Sequence, residues 1–142
     1  FTVRDVAHLD PAAVMTLYTW DPIQRFHGEV DVEVSRWGRA VEKNAQYVVQ
    51  PYYEPANVHR FEAPPGKLTF SFHWEPETVH FLTVHRHGKD LKLSTVAEQD
   101  FTSGVPVPEG ASVHMNLYAF GNAKVQMQQG AEVVIEQFKY LP

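Results

Sequence analysis

Residues 29–34 read Glu-Val-Asp-Val-Glu-Val, a strict alternation of acid and valine. A β-strand sends successive side chains to opposite faces, so Glu29, Asp31 and Glu33 line one surface while Val30, Val32 and Val34 point into a core. The segment is therefore an amphipathic strand with an acidic face, and a sheet has to be built on either side of it. At a rise of about 3.3 Å per residue, neighbouring acids start about 7 Å apart and the outer two about 13 Å apart, and the side chains can lean together from there. Acids this close do not all ionise freely. At least one is expected to have a raised pKa and to stay protonated near neutrality.

The rest of the chain supports the sheet. Ala12–Trp20, Ala45–Gln50, Leu68–Trp74, Thr78–His87 and Val113–Phe120 read as strands, separated by turns such as Asp21-Pro22, Gly38 with Arg39–Asn44, Pro64-Pro65-Gly66 and Gly88-Lys89-Asp90. Phe1–Val6 alternates enough for a strand, and Ala131–Leu141 alternates again and closes the sheet. Leu91–Val107 is weaker, with a Pro106-x-Pro108 edge that a central strand cannot hold, and Gly121–Gly130 reads as a polar loop. No stretch reads as a helix. Short strands at this spacing predict an all-β sandwich, and 142 residues with 44% hydrophobic content suit one domain, 1–142, with one core.

Composition narrows the function. The net charge of −5 argues against nucleic acid as a partner, since phosphate binding needs clustered Lys and Arg. No apolar run is long enough to span a bilayer, and Arg4 and Asp5 interrupt any leader-like segment in the first residues, as they would in a mature chain, so neither a signal peptide in this stretch nor a membrane partner is expected. The absence of cysteine excludes disulfides and thiolate sites. Of His80, His85 and His87, the last two share a strand face without a third ligand nearby, so no metal site is expected there.

Two readings of the acidic face stand side by side. It is the outer, solvated face of an ordinary half-buried strand, or it is a working pair of carboxyls. A carboxylate beside a carboxylic acid is what a retaining glycosidase needs, with the two groups about 5–5.5 Å apart. Tyr18, Trp20 and Trp37 surround the acids with rings able to stack on sugars, which is unusual for a solvated face. Tyr52, just past Pro51, offers another ring, and His27, in the loop before the acids, is a further group able to orient one of them. Gln46 shares a face with Val48 and Gln50 on the returning strand, and His114, Asn116 and Tyr118 share one on a later strand.

Glu29-Val30-Asp31-Val32-Glu33 resembles the Glu-x-Asp-x-Glu signature of glycoside hydrolase family 16, the laminarinase and lichenase group. Leu17-Tyr18-Thr19-Trp20 resembles the aromatic strand before that signature, and Phe72-His73-Trp74-Glu75-Pro76 a later Asp-Trp-x-Pro strand start. His114-Met115-Asn116-Leu117-Tyr118 is similar to the family's Met-Asn-Leu-Trp segment, and Glu136-Gln137-Phe138-Lys139-Tyr140 to its closing strand. These landmarks follow the family's order across nearly the whole chain.

The resemblance implies a concanavalin A-like jelly roll and a secreted retaining endo-β-glucanase. Glu29 stands as nucleophile, Glu33 as general acid and then base, and Asp31 between them as the group that tunes both. Gln46, Asn116 and Tyr118 are the substrate contacts that the resemblance implies, and Trp20, Trp37 and Tyr52 join them as rings able to stack on a sugar. The signature lacks the extra residue that laminarinase-type members carry before the last acid, which makes the lichenase-like form the closer comparison and mixed-linkage β-1,3/1,4-glucan the expected substrate. A lectin-like carbohydrate-binding module on the same fold is the alternative. The family's domain has several strands ahead of the position where Phe1-Thr2-Val3-Arg4 falls, so the resemblance implies a sandwich incomplete at its N-terminus, finished by a missing segment or a second chain. It implies no cofactor, with a structural calcium as the single candidate ion and Glu136 where the family often has an aspartate ligand. With ionised neighbours on its face, Glu33 is expected to keep its proton, and replacing Asp31 by Asn to move the alkaline limb of activity to lower pH.

Overall fold

The computed structural model describes residues 1–39, 43–88, 92–121 and 126–141. Among them, β1 (Thr2–Val3), β2 (Ala13–Trp20), β3 (Val30–Val34), β4 (Ala45–Val49) and β5 (Val58–Phe61) are followed by β6 (Leu68–Glu75), β7 (Thr78–His87), β8 (Lys92–Phe101), β9 (Ser112–Ala119) and β10 (Ile135–Gln137). They form two five-stranded antiparallel sheets, in the orders β10-β1-β6-β7-β8 and β5-β4-β3-β2-β9. The expected all-β sandwich is the observed fold. The acidic strand β3 lies at the centre of its sheet, paired to β2 on one side and β4 on the other.

Alternation decides what each sheet buries. Val30, Val32 and Val34 are 0%, 0% and 1% exposed and join Met15, Tyr47, Phe61, Leu68, Phe70, Val79 and Phe81 in one core. Tyr47 crosses that core from β4: its ring stacks on Phe81 of β7 at 4.6 Å, and its hydroxyl bonds Thr83 and reaches the Ala97 carbonyl at 3.3 Å. Each fully buried side chain of this size contributes about 1.5–3 kcal/mol by leaving water.

Several element bounds differ from the sequence reading. Lys92–Phe101, read as weak, is a ten-residue strand. It forms a sheet edge, so only Ala97 and Phe101 are buried and its alternation is faint. Val58–Phe61 was not anticipated, because only Phe61 of its four residues is buried. The closing strand shrinks from Ala131–Leu141 to Ile135–Gln137, since its neighbour β1 has two residues rather than the six of Phe1–Val6. Two short 3₁₀ turns, Arg25–Gly28 and Pro55–Asn57, interrupt loops read as irregular. Pro106 stays off the sheets, its carbonyl accepting the Trp74 indole N–H at 2.8 Å. Lys89-Asp90 and parts of the 39–44 and 121–130 loops lie outside the described residues.

Two buried aspartates organise the loops that flank the acidic sheet. Asp10 accepts from the backbone N–H groups of Ala12, Gln128 and Gln129. Asp21 accepts from those of Ile23 and Gln24 and from the Gln24 amide, fixing the turn that leads into Glu29. These bonds, led by the one to Ala12 in the first case and to Ile23 in the second, hold both carboxyls below the usual range.

Candidate active site

Register places the site. On the outward face of the second sheet, one cross-strand row reads Arg60, Gln46, Glu33, Thr16 and Asn116, and the next reads Val58, Val48, Asp31, Tyr18 and His114. Glu29 lies one step beyond, where the β2–β3 ladder gives way. The Thr19 hydroxyl takes the Val30 N–H at 3.0 Å, and the Glu29 carbonyl accepts from the Gln50 N–H at 3.1 Å. The backbone of Glu29 is thus anchored although it is outside the strand.

A cavity of about 570 Å³ opens on this face. Strand β2 lines it with Thr16, Tyr18 and Trp20, β3 and its leading residue with Glu33 and Glu29, and β9 with His114, Asn116 and Tyr118. Tyr18 stacks on His114 at 5.1 Å and accepts a bond from the Asn116 amide at 3.2 Å, while His114 Nε2 pairs with Ser112 Oγ at 2.8 Å. The rings and the amide are therefore tied to one another across β2 and β9.

The acids are graded by burial. Asp31, at the centre of the sheet with Tyr18 and Val48 beside it, is 1% exposed. Its Oδ2 accepts from Gln50 Nε2 at 2.8 Å, whereas Oδ1 is buried without a donor. Such an oxygen is costly as part of a carboxylate, which favours the neutral acid, and the side-chain hydrogen bond between Asp31 and Glu29 acts in the same direction. Burial raises the Asp31 pKa well above the usual carboxylate range, and the charges of Glu29 and Glu33 add to the effect. Burial also raises Glu33, against the Gln46 amide N–H that bonds its Oε2 and the positive charge of Arg60, and with the negative charge of Glu29. Glu29 is raised by burial too, but the bond from Asp31 opposes this and favours its ionised form.

This alters the sequence-based expectation. Desolvation, more than the charge of neighbours, holds the protons, and Asp31 rather than Glu33 is held furthest from ionisation. Tyr118, opposite the acids, is pushed up to about 12, first by burial and then by their charge, so it remains a neutral hydroxyl.

The other expected contacts divide. Trp20, Asn116 and Tyr118 line the cavity with Glu29 and Glu33. Gln46 borders it through its bond to Glu33. Trp37 is not among the lining residues, and the Arg60 guanidinium lies 4.6 Å from its ring centroid. Tyr52 is 61% exposed, in an aromatic cluster with Phe26 and Tyr53, its N–H donating to Gln50 Oε1 at 2.7 Å. The exposed His27 sits edge-on to Phe26 at 5.8 Å and does not line the cavity. Thr16, Tyr18, His114, Gln50 and Arg60 are not among the implied substrate contacts, although Tyr18 stands out in the sequence as a ring beside the acids. The first four share a strand face at two- or four-residue spacing with residues that are, which was the available signal. Arg60 sits on a strand with no clear sequence pattern.

Glu136, the residue at the position of the family's aspartate ligand, is ion-paired on the sheet edge. Its carboxylate pairs with Arg4 Nε at 3.1 Å and with Lys67 Nζ, which lower its pKa, the Lys67 bond most. Comparison with protein-family models, with curated proteins and with solved structures found no match.

Proposed function

We propose that this chain is a retaining endo-β-glucanase acting on β-1,3/1,4-glucan. The observation that carries the reading is geometric: Glu29 and Glu33 line one cavity with Tyr18, Trp20, Asn116 and Tyr118, and Asp31 lies buried between them, its Oδ1 without a donor. A nucleophile has to be ionised and a general acid protonated at the same pH; the hydrogen bond with Asp31 favours ionised Glu29, while burial favours protonated Glu33.

In the first step the Glu29 carboxylate attacks the anomeric carbon while Glu33 gives its proton to the leaving glycosidic oxygen. Asp31, donating to Glu29, stabilises that carboxylate before attack and releases it as the ester forms. In the second step Glu33, now ionised, takes a proton from water, which displaces Glu29 and restores the β-configuration. Tyr18, Trp20 and Tyr118 supply ring faces and Asn116 an amide for the sugar hydroxyls.

A non-catalytic carbohydrate-binding module is the second reading. It is favoured by the exposure of β9 along all eight of its residues, which leaves the wall carrying His114, Asn116 and Tyr118 open to solvent. The test is Glu29→Ala on mixed-linkage β-glucan. Under the leading reading, wild-type protein yields new reducing ends, the variant yields none, and azide restores cleavage with release of an α-glycosyl azide. Full activity in the variant removes the assignment of Glu29. Binding by calorimetry without product from the wild type replaces the enzyme by the module.

A further inference from the structure

Arg60 approaches the acids without touching them. It lies at the β5 end of the row that runs through Gln46 to Glu33. Its Nε donates to Gln46 Oε1 at 3.0 Å, and Gln46 Nε2 donates in turn to Glu33 Oε2. An arginine side chain has donors only, so it can bind the oxygen end of an amide and never the nitrogen end. With Arg60 on the oxygen, the NH₂ of Gln46 is the end that meets Glu33. Without Arg60, Gln46 can also turn its oxygen to the Glu33 carboxyl, an arrangement that accepts from the protonated acid and repels the carboxylate.

Arg60 is itself held from behind by Trp37. The Trp37 backbone is left-handed, with φ of 48°, a conformation that bulky residues rarely adopt. It is fixed by a bond from the Trp37 N–H to Ser35 Oγ at 2.9 Å and, one residue later, by Gly38 N–H to the Pro11 carbonyl at 2.7 Å. The turn presents the indole to the guanidinium, a stacking arrangement that a lysine fills less well.

We propose that Arg60 is a positioning residue for Glu33, acting through Gln46 to keep a hydrogen-bond donor aimed at the Glu33 carboxyl. This rests on the reading of Glu33 as the acid that becomes a base. Such a group has to lose and regain its proton in each turnover, and burial alone would leave it too reluctant to ionise. The charged or titratable groups around it are Glu29 and Asp31 on its own segment, Tyr18 from β2, His114 and Tyr118 from β9, and Arg60 from β5. Arg60 is the cation among those that shift it.

The experiment compares wild type, Arg60→Met and Arg60→Lys by a ¹³C carboxyl NMR titration of Glu33, and by pH profiles on mixed-linkage β-glucan. In Arg60→Met the Glu33 midpoint and the alkaline limb of kcat/KM move up by about one pH unit. In the same variant kcat falls about tenfold with KM nearly unchanged, because the effect reaches substrate only through Glu33. Arg60→Lys, still a donor-only cation, returns most of the shift. Should Arg60→Met not fold, Arg60→Gln, which can present either end of its own amide to Gln46, gives the same upward shift. A Glu33 midpoint unmoved in the folded variant overturns the proposal, even if wild-type protein cleaves glucan. A midpoint that moves in a protein that cleaves no glucan upholds the chain from Arg60 to Glu33 and removes the enzymatic reading instead.

Discussion

Replacing Asp31 by asparagine tests whether the buried acid holds its proton. In the unfolded chain Asp31 ionises near 3.8, whereas burial and its two acidic neighbours raise it well above that in the folded protein. The sign follows from proton counts: below the unfolded pKa both states are protonated, and above it the unfolded state releases a proton that the folded state keeps. The contribution of Asp31 to stability therefore falls as pH rises, by about 1.4 kcal/mol per pH unit, until the folded carboxyl itself ionises. Asparagine accepts from Gln50 with its oxygen and donates toward Glu29 with its nitrogen, copying the neutral acid without titrating. Over the pH range above the unfolded pKa in which the folded carboxyl keeps its proton, the variant should gain on the wild type by about 1.4 kcal/mol per pH unit, read as urea midpoints at fixed m-value. Glu29 and Glu33 titrate in both proteins, so their contributions largely cancel in the comparison. The alkaline limb of activity should stay in place in Asp31→Asn, because a group that is already neutral carries no charge to remove. Stability curves that run parallel across this range would refute the protonated Asp31.

Two further outcomes check the packing and the chemistry. Tyr47→Phe leaves the fully buried Thr83 hydroxyl without its Tyr47 partner, and should cost about 1–2 kcal/mol in urea unfolding while leaving glucan binding unchanged. Glu33→Gln keeps the shape and the Gln46 contact region but removes the transferable proton, so kcat on β-glucan should drop by about 10²–10⁴-fold; an aryl glycoside, whose leaving group needs less protonation, should suffer less.

Much of this was legible in residues 29–34, because period-two alternation with valine on one side leaves a strand a single way to face a core. The same rule showed which neighbours share a face with Gln46, Asn116 and Tyr118 on their own strands, but the choice of those faces as the ones beside the acids came from the family resemblance. What the sequence did not carry is cross-strand register. That Tyr18 and Val48 flank Asp31, and so bury it more deeply than Glu29 or Glu33, depends on pairings between segments distant in the chain. Arg60 was hidden for a second reason: its strand is a sheet edge with one buried residue in four, and such strands show little pattern. Trp37 read as an open sugar platform because its left-handed backbone and the guanidinium stacked on its ring come from the tertiary fold.

The most direct test of the central claim is the configuration of the first product. Mixed-linkage β-glucan is digested by wild-type protein in deuterated buffer, and the anomeric proton signals of the new reducing ends are followed by NMR from the first minutes. Two displacements, at Glu29 and then by water through Glu33, predict the β-anomer first, with the α-anomer growing only as mutarotation proceeds. An α-anomer at the outset, or no new reducing ends at all, contradicts the account.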